Sequence, residues 1–172
     1  SMYGYPIHGF YFPNNSNKTI IILHGITVNL WTSVKYMKMF LDRGYNVCIY
    51  DHRNHGLSGG LFSSLGVHEK YDARQVIEFI KNKLGPMSVI GLHGESMGAA
   101  TAMMTLPITT DVDFLIEDCG YSSMYEELRV RLKEEYKLPA FPFLQISNRL
   151  VNVLYHFDFF KDSPIKAVAK TT

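Results

Sequence analysis

Apolar residues in this chain follow two alternating patterns. Short unbroken runs rich in β-branched residues occupy positions 19–23 (Thr19-Ile20-Ile21-Ile22-Leu23), 46–50, 87–93 and 112–119. Each is too short for a buried helix, so each predicts a strand covered on both faces, as in a parallel sheet. Residues 7–12 alternate weakly and stop at Pro13-Asn14-Asn15, which predicts a further strand closed by a turn. Between the runs the period lengthens to that of a helix. Val34, Met37, Phe40 and Leu41 share one face of residues 30–41, with Gly44 beyond as a stop. Ala73, Val76, Ile77, Ile80 and Leu84 share a face of residues 69–84, which end at Gly85-Pro86. Ser123-Met124-Tyr125-Glu126 has the spacing of a capping box, opening a helix through Tyr136. Strands alternating with helices in this way predict an α/β fold, a mostly parallel sheet with helices on both faces.

Residues 138–160 stand apart because they are dense in aromatics. Phe143, Ile146, Leu150, Val153, Phe157 and Phe160 keep a helical period, and so wide an apolar stripe needs something to cover. Two readings remain open: a helix packed on the core, or a lid over an apolar pocket. Segment 122–160 is therefore read as a helical cap or lid within a single domain spanning 1–172. Membrane binding is disfavoured, since Asn148, Arg149, Asn152 and Asp158 make a polar side that is not basic.

Composition narrows the partners more than the fold. The 172 residues are 47% hydrophobic, enough for one domain with a sizeable core. With 17 basic and 16 acidic side chains and a net charge of +1, nothing favours nucleic acid or an anionic membrane, so a small-molecule partner is expected. The two cysteines, Cys48 and Cys119, end different apolar runs and are expected to be buried free thiols, which fits a cytoplasmic protein. No secretory-signal layout is present, though Ser1 before Met2 resembles the residue left by tag cleavage and leaves the native start open.

The chemistry points to one short stretch. In Gly94-Glu95-Ser96-Met97-Gly98 a serine lies between a predicted strand and the helix former Ala99-Ala100-Thr101-Ala102-Met103-Met104, with a glycine two residues to either side. Such a serine is held strained so that its hydroxyl projects from the sheet, and the glycines remove side chains that would collide with the neighbouring strand and helix. Two further signals accompany it. His24-Gly25-Ile26 ends the earlier strand, and Asp51-His52-Arg53-Asn54-His55-Gly56-Leu57-Ser58 follows the next one.

In this order the three signals resemble the α/β-hydrolase family, in particular its esterase, lipase and aminopeptidase-like branch, and the likeness runs from about Thr19 through Met104. The resemblance implies a serine hydrolase cleaving a carboxylic ester or related acyl substrate through a Ser96 acyl-enzyme. It assigns the oxyanion hole to the backbone N–H groups of Ile26 and Met97, and implies neither metal nor organic cofactor. His24 is structural by the same resemblance. Asp51, His52 and His55 lack the accompanying ligands of a metal site, and His93 is read as core.

The family places its acid and its histidine after later strands. Here the chain reaches Asp162-Ser163-Pro164-Ile165-Lys166-Ala167-Val168, which resembles the approach to the acid-bearing strand, and the expectation is a domain truncated before the strands carrying both groups. On that expectation the chain alone has little turnover, and the strand near Leu115 is an open sheet edge through which copies self-associate. Asp118 with His156 is the local substitute for the missing pair. An alternative from another class is a non-hydrolytic α/β-hydrolase scaffold, a binding module or an inactive fragment.

Overall fold

The alternating pattern folds into one five-stranded sheet in a computed structural model that describes residues 1–171. The strands are β1 (Gly9–Phe12), β2 (Lys18–Leu23), β3 (Asn46–Tyr50), β4 (Val89–Glu95) and β5 (Phe114–Asp118), in the spatial order β1-β3-β2-β4-β5. Only β1 runs antiparallel to its neighbour. The helices are α1 (Val34–Leu41), entered through a 3-10 turn at Leu30–Ser33, α2 (Glu69–Leu84), α3 (Met97–Thr105), α4 (Met124–Tyr136), α5 (Ala140–Tyr155) and α6 (Pro164–Val168). Ser123 caps α4 as its spacing predicts, its side chain accepting the Glu126 N–H at 3.5 Å.

Successive strand residues face opposite ways, and both faces of this sheet are covered. Ile20, Ile22, Val47 and Ile49 meet Leu30 of the 3-10 turn and Met37 and Phe40 of α1. Ile21, Leu23, Cys48, Tyr50, Ile90 and Leu92 meet Ala73, Ile77 and Ile80 of α2 and Ala102 of α3. Ile20, Ile21, Ile22 and Leu23 have no exposed surface. Each such side chain contributes roughly 1.5–3 kcal/mol when fully buried, so β2 holds the sheet at its centre. The strand order reverses on either side of β2, which makes the carboxyl ends of β2 and β4 the crevice where ligands of open α/β sheets bind.

Some expectations are corrected. Cys48 is buried, its thiol pushed up to about 12 by burial, but Cys119 is exposed. β5 ends one residue earlier than the apolar run, and at Cys119 the chain turns off the sheet with φ 49°. On α5 the stripe of Phe143, Ile146, Leu150 and Val153 faces solvent, from 43% exposed at Phe143 to 73% at Val153. The inward face carries Leu144 and Val151, which join Met124, Leu128, Leu132, Phe157 and Phe159. The cause lies in the link between the helices. Lys137 closes α4 in the left-handed region, and the short connection through Pro139 sets which side of α5 meets α4. β5 is the free edge of the sheet, with Ile116, Glu117 and Asp118 exposed. No helix among the described residues is long and apolar enough to cross a membrane.

Candidate active site

Register brings the two singled-out turns together. β2 and β4 are parallel neighbours with Leu23 opposite Gly94. The residues that follow each, His24-Gly25-Ile26 and Glu95-Ser96-Met97, must therefore leave the sheet side by side. A Cβ built on Gly25 would lie 3.6 Å from the Ser96 Cβ.

Ser96 has φ 53° and ψ −115°, a region that side-chain-bearing residues rarely occupy. Its N–H donates to the Asp118 carbonyl at 2.8 Å, and its carbonyl accepts the Ala100 N–H at 3.1 Å, so β5 and the first turn of α3 hold the strained peptide from both sides. The flanking glycines do what their spacing predicts. A Cβ on Gly94 would strike the Gly98 carbonyl and the Ala99 backbone, and one on Gly98 would strike the Leu23 carbonyl and the His24 oxygen. Helix α3 can therefore start directly against β2.

Ser96, Ile26 and Met97 line one cavity of about 130 Å³, with Leu65, Tyr121, Glu127, Leu128 and Arg131. The backbone N–H groups of Ile26 and Met97 have no acceptor among the described residues. Two free donors beside a serine at a helix N-terminus are suited to a developing negative oxygen. Tyr121, Leu65 and the α4 residues were not read from the sequence. Tyr121 lies three residues past the carboxyl end of β5, the same sheet edge as the elbow, and that position was the available signal. Its hydroxyl donates to the Leu65 carbonyl at 2.5 Å, and burial raises its pKa. Glu127 accepts from Arg131 at 2.6 Å, so the charges that α4 brings to the cavity are paired with each other.

His24 is bonded on both ring nitrogens to the turns around it. His24 Nε2 accepts the His52 backbone N–H at 3.0 Å, leaving Nδ1 to donate to the Gly25 carbonyl at 2.6 Å. It fixes the turn that presents Ile26. Burial lowers the His24 pKa to about 4, and burial likewise holds His52 well below the usual histidine value. Both are thus neutral when folded, while the unfolded chain takes up protons below about pH 6.5. The stability they contribute is complete above that pH and is lost as pH falls toward 4. The thermal midpoint should fall from pH 7 to pH 5, and fall less steeply in His24→Gln; equal slopes would remove His24 as a cause.

Asp51 is buried and accepts from the Leu30 N–H at 2.8 Å and the Leu57 N–H at 2.9 Å, with His8 Nδ1 at 3.3 Å. It ties the loop after β3 to the turn before α1, and Gly56, at φ 51°, leaves room for its carboxylate. Among the described residues no cluster of three or more His, Cys, Asp or Glu is placed to hold a metal. His93 is buried against the rings of Tyr36 and Phe40, at 4.1 and 5.7 Å.

The local substitute for a triad does not assemble. The Asp118 carboxylate accepts the Tyr36 hydroxyl at 2.6 Å, and His156 is an exposed residue closing α5. Neither lines the Ser96 cavity. No side chain among the described residues hydrogen-bonds Ser96 Oγ.

A sheet of this order with a strained serine turn after β4 defines an α/β-hydrolase. More narrowly, residues 14–116 match the family model of Serine aminopeptidase, S33, and the chain belongs to that family. An uncharacterized protein of Bacillus subtilis (strain 168), YqkD, is 43% identical over 173 residues, covering 99% of this chain and 57% of that protein. The Pyrococcus furiosus esterase Pf2001 in one crystal form superposes with a TM-score of 0.70 at 28% identity, covering 90% of this chain and 62% of that one. A lidless α/β serine hydrolase of Xanthomonas campestris shares the fold at a TM-score of 0.57 and 21% identity, over 65% of this chain and 55% of that one. The chain thus spans somewhat over half the length of the relatives it matches.

Proposed function

We propose that this chain carries the nucleophile half of a serine hydrolase acting on carboxylic esters or related acyl compounds. The observation that carries this reading is the convergence of Ser96, in its strained conformation, with the unpaired N–H groups of Ile26 and Met97 on one cavity. In the proposed step Ser96 Oγ bonds to the acyl carbon while the two N–H groups hold the oxygen that becomes negative. The carbon–oxygen bond to the alcohol then breaks, and the alcohol leaves with the proton that Oγ gives up. Water afterwards releases the acid and restores the serine. The cavity is about 130 Å³ and largely apolar. A dry cavity of about 150 Å³ takes a molecule the size of benzene, so the acyl group is a short one. Helix α4 serves as the cap, closing the cavity with Leu128 and the Glu127–Arg131 pair.

With no partner for Ser96 Oγ among the described residues, turnover by the 172-residue chain is expected to be slow or absent. That same observation favours the second reading, a scaffold that binds without hydrolysing. Incubation with a fluorophosphonate separates the two. In the intact protein, with a base to take the Oγ proton, the reaction adds one phosphonyl group, found on the Ser96 peptide by mass spectrometry and missing from Ser96→Ala. Adduct formation that persists in Ser96→Ala would remove Ser96 as nucleophile.

A further inference from the structure

A second recess adjoins the Ser96 cavity across Ile26, and its chemistry differs. It is an open groove of about 700 Å³, lined by Ile26, Thr27, Asn29, Asn54, His55 and Ser63 among others, with no carboxylate, ammonium or guanidinium in its wall. This volume lies within the range of small-molecule sites. Ile26 lines both recesses, and the Ser63 hydroxyl, at the groove's other side, donates to Glu69 at 3.0 Å and lies 3.4 Å from the Met97 Sδ. The groove therefore touches one of the two residues whose N–H groups flank Ser96, and one of its wall residues touches the other.

The side chains of Asn29 and His55 are each held in place by a bond that leaves one end free. The Asn29 carbonyl oxygen caps the 3-10 turn by accepting the Trp31 N–H at 3.2 Å, which leaves the amide NH2 without a partner among the described residues. His55 Nδ1 faces the Arg53 carbonyl at 2.8 Å and so carries the proton, which leaves Nε2 as an acceptor. Asn54 is fixed at φ 57° with its N–H donating to the Gly59 carbonyl at 2.9 Å, and its side-chain amide is unpartnered among the described residues. An oriented amide donor beside an oriented imidazole acceptor, with the free Asn54 amide near them and no formal charge, matches hydroxyl groups, which donate and accept at once. A phosphate or carboxylate would find no cation in this wall.

We infer that the groove binds the alcohol portion of the ester, and that this alcohol is neutral and carries hydroxyl groups. The assignment of sides follows from the order of events and rests on the acyl-enzyme reading. The acyl group stays bonded to Ser96 after the first step, so it belongs in the more enclosed cavity that Ser96 itself lines. The alcohol must depart before water enters, so it belongs in the open groove.

Two esters that differ only by hydroxyls test this: 2,3-dihydroxypropyl butanoate and propyl butanoate, titrated into the full Ser96→Ala chain, which cannot be acylated at that position. The dihydroxypropyl ester should bind about tenfold tighter, as expected from one or two net hydrogen bonds. It should also shift the side-chain NMR signals of Asn54, Asn29 and His55. The difference should shrink in His55→Phe and, separately, in Asn54→Gly, which removes the amide at an exposed position and suits its φ of 57°. Equal affinity for the two esters, no binding of either, or shifts confined to other residues would overturn the groove assignment. Failure of fluorophosphonate labelling in the intact protein, with the hydroxyl preference intact, would instead remove the nucleophile and leave the groove as a binding site.

Discussion

Gly98→Val is expected to lower the thermal midpoint by about 10 °C or to leave the chain unfolded, an overpacking cost at or beyond about 3 kcal/mol. The Cβ of any residue at 98 falls on the Leu23 carbonyl and the His24 oxygen, which are backbone atoms of the central strand and of the turn that carries Ile26. Neither can rotate aside as a side chain would. Relief requires α3 to retreat from β2, which breaks the cluster that Ala102 shares with Ile21 and Leu23. Gly44 is the internal control. It has φ +75° and nothing within 4 Å of a built Cβ, so Gly44→Ala should cost only the left-handed strain of about 1 kcal/mol. Calorimetry of both variants checks the contrast, and similar midpoints would mean that close approach of helix and strand is not what position 98 protects.

Asp72→Ala should be comparably damaging, at about 3–5 kcal/mol, because it leaves a guanidinium buried without its counter-charge. Arg53 is 3% exposed, donates from Nε to Asp72 at 2.7 Å and reaches the His68 carbonyl at 2.9 Å. Tyr3 lies over the guanidinium at 4.4 Å, and the Ser1 and Tyr5 hydroxyls donate to the same carboxylate. The loss therefore frees the amino-terminal segment together with the loop after β3. Replacing both partners, Arg53→Met with Asp72→Leu, should recover much of the stability, since an apolar pair needs no compensation. Denaturant midpoints of the single and double variants decide the matter. A double variant as unstable as the single would show that shape, rather than unpaired charge, is at stake.

The strands, the helices on α1 and α2 and the elbow were legible because their signals are local. Whether glycine is required at 94 and 98 depends on atoms within a few ångströms that the strand–turn–helix pattern itself implies, and β2 and β4 announce themselves as buried by unbroken apolar runs. The pairing of Leu23 with Gly94 was not legible, since nothing in either run names its partner. What failed to show depends on tertiary neighbours. The stripe on α5 has the right period, yet α4 takes the adjacent face with Leu144, so the predicted positions face solvent. Glu69 reads as an ordinary acid in the first turn of a helix. In the fold it is fully buried, its carboxylate accepting from the Ser64 and Gly66 N–H groups and the Ser63 and Ser64 hydroxyls. It pins the loop that brings Leu65 to the serine. Tyr121 and the Glu127–Arg131 pair reach the cavity only because α4 folds back over the sheet edge, a geometry that sequence spacing does not encode.

The most direct test is a crystal structure of the intact protein carrying a phosphonyl group on Ser96. The proposal predicts the phosphoryl oxygen at about 2.7–3.1 Å from the backbone nitrogens of both Ile26 and Met97, the separation expected of an oxyanion hole. An oxygen turned to solvent, with both N–H groups left unpaired, would contradict it.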